Sequence, residues 1–118
     1  PKMKELIEEL STITDSDLAA KLDSIKEWPY SRGDLYNWII VLDRFDRILE
    51  DICKEYELKN IQQKSFSQLT FTLLKGILHF SRLLLENCTN RNIYNSYEHL
   101  NDLLHTNDLV ILETTLRL

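Results

Sequence analysis

Between Asp34 and Tyr56 the apolar residues Leu35, Trp38, Ile39, Leu42, Phe45, Leu49, Ile52, Cys53 and Tyr56 return at steps of three and four, the spacing of one face of an α-helix. Val41 and Ile48 widen that stripe, so the pattern predicts a long helix with neighbours on two sides. Its polar side offers three i,i+4 ion pairs, Asp43 with Arg47, Arg47 with Asp51 and Glu50 with Lys54, each of which supports a helix when it forms. A second run, through Leu69, Leu73, Leu74, Ile77, Leu78, Leu84 and Leu85, leaves Lys75, His79, Arg82 and Glu86 as a narrow polar stripe. It predicts a mostly buried helix capped by Ser65 or Ser67. Gly76 inside it costs about 1 kcal/mol relative to alanine, and close approach of another helix is the expected reason for it.

Shorter patterns fill the remainder. A helix is predicted over Lys4 to Leu10, and another from Thr14 or Asp15 through Leu18, Leu22 and Ile25, ended by Trp28-Pro29 because the residue before proline is pushed out of the helical region. The polar stretch ELKNIQQKSFS predicts a flexible loop over 57–67. After Asn87, NCTNRN reads as turn chemistry, and Asn95 with Glu98 has the spacing of a capping box ahead of a short helix. Thr106 or Asn107 would cap DLVILETTLRL, whose apolar face runs to the last residue and suggests a fragment of a longer chain. The expectation is one all-α unit over 1–118, with five to six helices.

Composition agrees. The 118 residues are 43% hydrophobic, with two glycines and two prolines, enough apolar matter for a core and too few turn formers for hairpins. Nineteen acids against fourteen bases give a net charge of −5, the wrong sign for a protein whose main partner is nucleic acid. Cys53 and Cys88 are expected as reduced core thiols of an intracellular protein. PKMKELIEEL lacks the features of a signal peptide, and FTLLKGILHFSRLLL is too short and too charged to span a bilayer.

Each candidate site has a plainer reading. Arg32-Gly33-Asp34 is an adhesion tripeptide only on an exported loop; here Gly33 is expected to supply a turn and Asp34 to cap the following helix. Asn87-Cys88-Thr89 fits the glycosylation pattern, which matters only in the secretory pathway, and Cys88 at the end of an apolar helix suits a packed thiol better than a nucleophile. Glu98, Asp102 and His105 fall at i, i+4 and i+7, but without a cysteine or second histidine on that face they read as a solvated stripe rather than metal ligands. His79, with Lys75 and Arg82, reads as an exposed rim rather than an anion contact. Trp28, Tyr30, Tyr36 and Trp38 are the types found at binding hot spots, yet at helical spacing they are expected in the core. No phosphate loop, Cys-x-x-Cys, His-Glu-x-x-His or nucleophile elbow occurs. No catalytic, cofactor-binding or metal-binding residue is therefore assigned.

Two stretches, WPYSRGDLYNWIIVLDRFDRILE at 28–50 and NRNIYNSYEHLNDLLHTNDLVILETTLRL at 90–118, together resemble the N-terminal armadillo-like region of the giant HECT-type E3 ubiquitin ligases. The similarity runs through Asp34, Leu35, Tyr36, Trp38, Leu42, Asp43, Arg44, Phe45 and Asp46, then Arg91, Tyr94, Ser96, Glu98, His99, Leu100, Leu103 and Leu104. The resemblance implies an armadillo-like helical scaffold in an enzyme whose C-terminal HECT domain passes ubiquitin through a cysteine outside this chain. It implies protein substrates and other segments of the ligase as partners, ubiquitin and conjugating enzyme engaged elsewhere, and a cytoplasmic or nuclear location. Residues 1–27 carry none of the shared pattern. The rival expectation is a helical-repeat adaptor with no ubiquitin chemistry.

Overall fold

The computed structural model describes residues 2–59 and 67–105. Its elements are α1 (Lys2–Thr12), α2 (Asp15–Ser24), α3 (Ile39–Lys59), α4 (Gln68–Asn87) and α5 (Glu98–His105), with 3-10 helices at Leu35–Trp38 and Arg91–Ser96. The class is all-α. The strand content among the described residues is one parallel pair of two-residue segments, Gly33–Asp34 beside Cys88–Thr89.

The two long apolar stripes become α3 and α4. Ser67 caps α4 by accepting from the Thr70 N–H at 3.1 Å, and Lys75, His79, Arg82 and Glu86 form the exposed stripe that the sequence predicts. Gly76 meets α2: a Cβ there would stand 2.8 Å from Leu22 Cβ, so the close approach expected of this glycine is real. α3 starts later than the apolar pattern, because Leu35–Trp38 forms a 3-10 helix before it. It also ends later, at Lys59, and so takes the first three residues of the stretch read as a loop. Residues 60–66 and the predicted helix beyond Thr106 lie outside the described residues.

Between these helices Trp38, Phe45, Phe80, Leu10, Leu18, Leu22, Leu42, Leu84 and Leu100 are fully buried. The aromatic rings lock at an angle to one another. Trp38 and Phe80 lie 5.5 Å apart edge to face, Phe45 and Phe80 6.2 Å, and Trp28 joins them at 5.5 Å from Trp38. Such pairs add about 0.5–1.5 kcal/mol each beyond the area they bury.

This cluster corrects the predicted end of α2. The helix stops at Ser24, where Ile25 turns to extended backbone and its N–H closes onto the Leu22 carbonyl. Three residues, Ile25 to Glu27, then lead to Trp28 in the aromatic core, so Trp28-Pro29 follows the helix rather than ending it. His79 helps to fix the exit, with Nε2 3.1 Å from the Ile25 carbonyl oxygen. A carbonyl only accepts, so Nε2 carries the proton in this contact.

Candidate functional site

The polar residues around which the shared stretches are built converge on α3. Three of them, Asp43, Arg44 and Asp46, lie within one turn and reach in two directions. Asp43 and Asp46, three apart, share a face toward α5. Asp43 Oδ1 accepts from the Tyr97 hydroxyl at 2.7 Å, and Asp46 Oδ1 accepts from the Leu100 backbone N–H at 3.0 Å. Asp46 Oδ2 lies 3.3 Å from His99 Nδ1, which donates because a carboxylate can only accept. Arg44 points the other way. Its guanidinium donates to the Leu10 carbonyl at 3.0 Å and to Asp15 Oδ1 at 3.2 Å, tying the α1–α2 corner to α3.

Leu100 is the third residue of α5, where the helix has a free N–H that a capping side chain ordinarily satisfies. Asp46 supplies that oxygen from another helix, and its negative charge faces the positive end of the α5 dipole. The capping box expected from Asn95 and Glu98 is therefore not the cap. Asn95 belongs to the preceding 3-10 helix and Tyr97 stands at the junction, so the local sequence has no side chain in place and a tertiary one does the work.

A second clasp joins the ends of the two stretches. Asp34 Oδ1 accepts from the Tyr36 N–H and from Asn90 Nδ2, both at 3.0 Å. These bonds, the Asn90 amide first, hold the Asp34 carboxyl below the usual carboxylate range. Asn90 reaches it from a left-handed backbone, φ 60°, a conformation that asparagine tolerates better than most residues. The Thr89 hydroxyl donates to the Gly33 carbonyl at 3.4 Å. Asp34 is thus a cap, as expected, but for the 3-10 helix. Gly33 is not the turn residue expected: its φ is not positive and a Cβ would meet nothing within 4 Å.

Burial sets the remaining electrostatics. It pushes the Cys88 thiol up, with the Asp34 charge adding to it, which disfavours the thiolate that a nucleophile needs. Burial raises the Tyr94 phenol to about 12. Tyr94 is a neighbour of Ser81, yet among the described residues neither hydroxyl, nor Trp38 Nε1, meets hydrogen-bond geometry with any partner. The Tyr97 phenol is also raised, by burial and then by its bond to Asp43.

The other candidates fall into place. Asn87 Nδ2 is engaged with the Leu83 carbonyl at 2.8 Å inside the last turn of α4. No disulfide joins Cys53 to Cys88, and Cys53 is exposed, which corrects its assignment to the core. Glu98, Asp102 and His105 are all exposed, and among the described residues no three potential ligands stand together as a metal site. Trp38 is core, Trp28 and Tyr30 are partly buried against it, and Tyr36 is exposed. Of the three predicted pairs on α3, Glu50 with Lys54 forms, at 3.0 Å; Asp43 is bound to Tyr97 instead. No described helix is long and apolar enough to cross a membrane.

Fold and site together define a class: an all-α module in which polar side chains on α3 and at its approach hold its own helices in register. Residues 70–118 match the family described as a domain of unknown function, DUF908. The E3 ubiquitin-protein ligase ptr1 of Schizosaccharomyces pombe is 50% identical over 93 residues, 78% of this chain and 3% of that protein. The mouse E3 ubiquitin-protein ligase HUWE1 is 33% identical over 118 residues, and the Arabidopsis thaliana ligase UPL1 26% over 126; each match covers 98% of this chain and 3% of the relative. The chain is homologous to a short segment of the giant E3 ubiquitin-protein ligases, and the family resemblance read from 28–50 and 90–118 stands.

Proposed function

We propose that this chain is an N-terminal, armadillo-like scaffold segment of a HECT-type E3 ubiquitin-protein ligase, which positions protein substrates and other parts of the ligase while the transfer chemistry lies elsewhere. The observation that carries the reading is the match itself: nearly the whole chain aligns with about one thirtieth of the ligases it resembles. The geometry supports it. Asp34, Asp43, Arg44, Asp46 and His99 are engaged in bonds between elements, the arrangement of a frame rather than of an acid, base or nucleophile waiting for substrate. Stacked helices bury a continuous core and leave one broad face for recognition. The partners are proteins, not nucleic acid or membrane, and the location is cytoplasmic or nuclear.

The test uses the full-length ligase. Incubated with ubiquitin, activating enzyme and conjugating enzyme, it should form a thiol-sensitive ubiquitin adduct that the 118-residue chain alone does not form. A full-length protein that works with conjugating enzymes yet forms no adduct would replace the ligase reading with that of an adaptor.

A further inference from the structure

The groove between α1 and the start of α3 has a volume of about 580 Å³ and is lined by Met3, Lys4, Ile7, Glu8, Ser11, Asn37 and Ile40. We propose that it seats an amphipathic helix of the same ligase polypeptide, from outside these 118 residues. The inference rests on the reading above, that the chain is one segment of a much longer protein.

Two observations converge on it. The large hydrophobic side chains exposed among the described residues are Tyr36 at 57%, Ile40 at 53% and Leu69 at 41%. One of these, Ile40, lines this groove, together with Met3 and Ile7. An exposed apolar side chain set in a concave place with other apolar residues around it is the pattern of a contact surface. Lys4 and Glu8 lie one turn apart on α1 and, among the described residues, neither forms an ion pair. They specify the occupant's charges: an acid opposite Lys4, a base opposite Glu8, and apolar residues at i, i+3 or i+4, and i+7.

Size decides where the occupant comes from. Seven lining residues are far fewer than the roughly 20–30 per side of a stable complex between separate proteins. A helix on the same chain needs no such area, because tethering raises its effective concentration. The chain spans 3% of its relatives' length, so the polypeptide available to cover the groove is nearly all of the ligase.

The experiment compares amide hydrogen exchange across α1 in the 118-residue chain and in the full-length ligase, each with and without Ile40→Asp. In the short chain Ile40→Asp is expected to leave melting temperature and α1 exchange unchanged, since the side chain is exposed there. In the full-length protein α1 is expected to exchange at least about ten-fold more slowly than in the short chain, and Ile40→Asp to return it to the short-chain rate. Lys4→Glu should do the same more weakly, and it replaces Ile40→Asp if that variant fails to fold. Equal exchange in the two contexts, or slow exchange that survives both substitutions, overturns the assignment. So does a concentration-dependent dimer of the short chain that Ile40→Asp abolishes, because the occupant would then be a second copy. An open α1 in a full-length protein that still forms the ubiquitin adduct would sink this inference alone.

Discussion

The α2–α4 seam and the α3–α5 junction fasten helices by opposite means. In the seam the contact is a matter of volume: Gly76 removes a side chain so that Leu22 can sit where its Cβ would be. At the junction α5 has eight residues, of which Leu100 is fully buried, too short a helix to persist in water by propensity. It is kept by two carboxylates on α3. The seam is therefore sensitive to added atoms and indifferent to charge, while the junction depends on the placement of a few oxygens.

The largest effect is expected from Asp46→Ala. It removes the acceptor for the Leu100 N–H together with the partner of His99, both charge-assisted bonds in a partly buried place, and should cost about 2–3 kcal/mol in urea unfolding. Asp46→Asn keeps one acceptor oxygen and should cost less than half as much. The loss should be local, with faster amide exchange in α5 and none in α2. A cost below about 0.5 kcal/mol, within the range of an ordinary surface change, would show that apolar contact around Leu100 alone keeps α5 in place.

Next comes Gly76→Ala. Helix propensity favours alanine by about 1 kcal/mol, but the added carbon meets the root of Leu22 rather than a flexible tip, and overpacking of this kind costs about 1–3 kcal/mol. The net expectation is a destabilisation of about 0–2 kcal/mol. Leu22→Gly, which removes that Cβ as well, should be less damaging in the Gly76→Ala background than alone, a coupling that a double-mutant cycle measures. Stabilisation by Gly76→Ala would mean that α2 shifts easily and that the seam is not volume-limited.

These two regions also divide what could be read in advance. The seam was legible: the apolar period of residues 69–85 and one glycine interrupting it are local signals, and they gave the helix, its exposed stripe and the close approach. The junction was not. Asp43 looks like a solvated partner of Arg47 when only α3 is considered and no pair in α3 involves Asp46, while their true partners are more than fifty residues away. The signal available was negative: Tyr97, immediately before α5, cannot cap a helix, so an acceptor had to come from elsewhere. The end of α2 departs from the proline rule for a related reason. A tertiary aromatic cluster, not the proline rule, decides where Trp28 goes.

Tyr97→Phe tests the weaker bond of the junction and should cost about 1 kcal/mol at neutral pH, the usual net value of one hydrogen bond. It also has a pH signature. The folded phenol is raised above its ordinary value by burial and by Asp43, so the stability it contributes is fully present below about pH 10 and is lost as pH rises from there toward the folded value. Tyr94, raised to about 12, contributes in the same direction and is untouched by the substitution. The gap between wild type and Tyr97→Phe should therefore narrow on the alkaline side, measured as urea midpoints from pH 8 to pH 11. A gap that does not change would leave Asp43 without an electrostatic part in holding Tyr97.

The smallest effect is expected at the clasp between the two stretches. Asp34 is depressed by the Asn90 amide and then by the Tyr36 N–H, so its contribution is present above the unfolded value near 4 and is lost as pH falls through the lower folded value. Asp34→Asn keeps an acceptor for the Tyr36 N–H and removes the titration. The difference in stability between wild type and variant should shrink as pH drops below about 4. A difference at Asp34 that stays constant down to pH 2 would mean that the clasp works by shape, like the seam, rather than by charge.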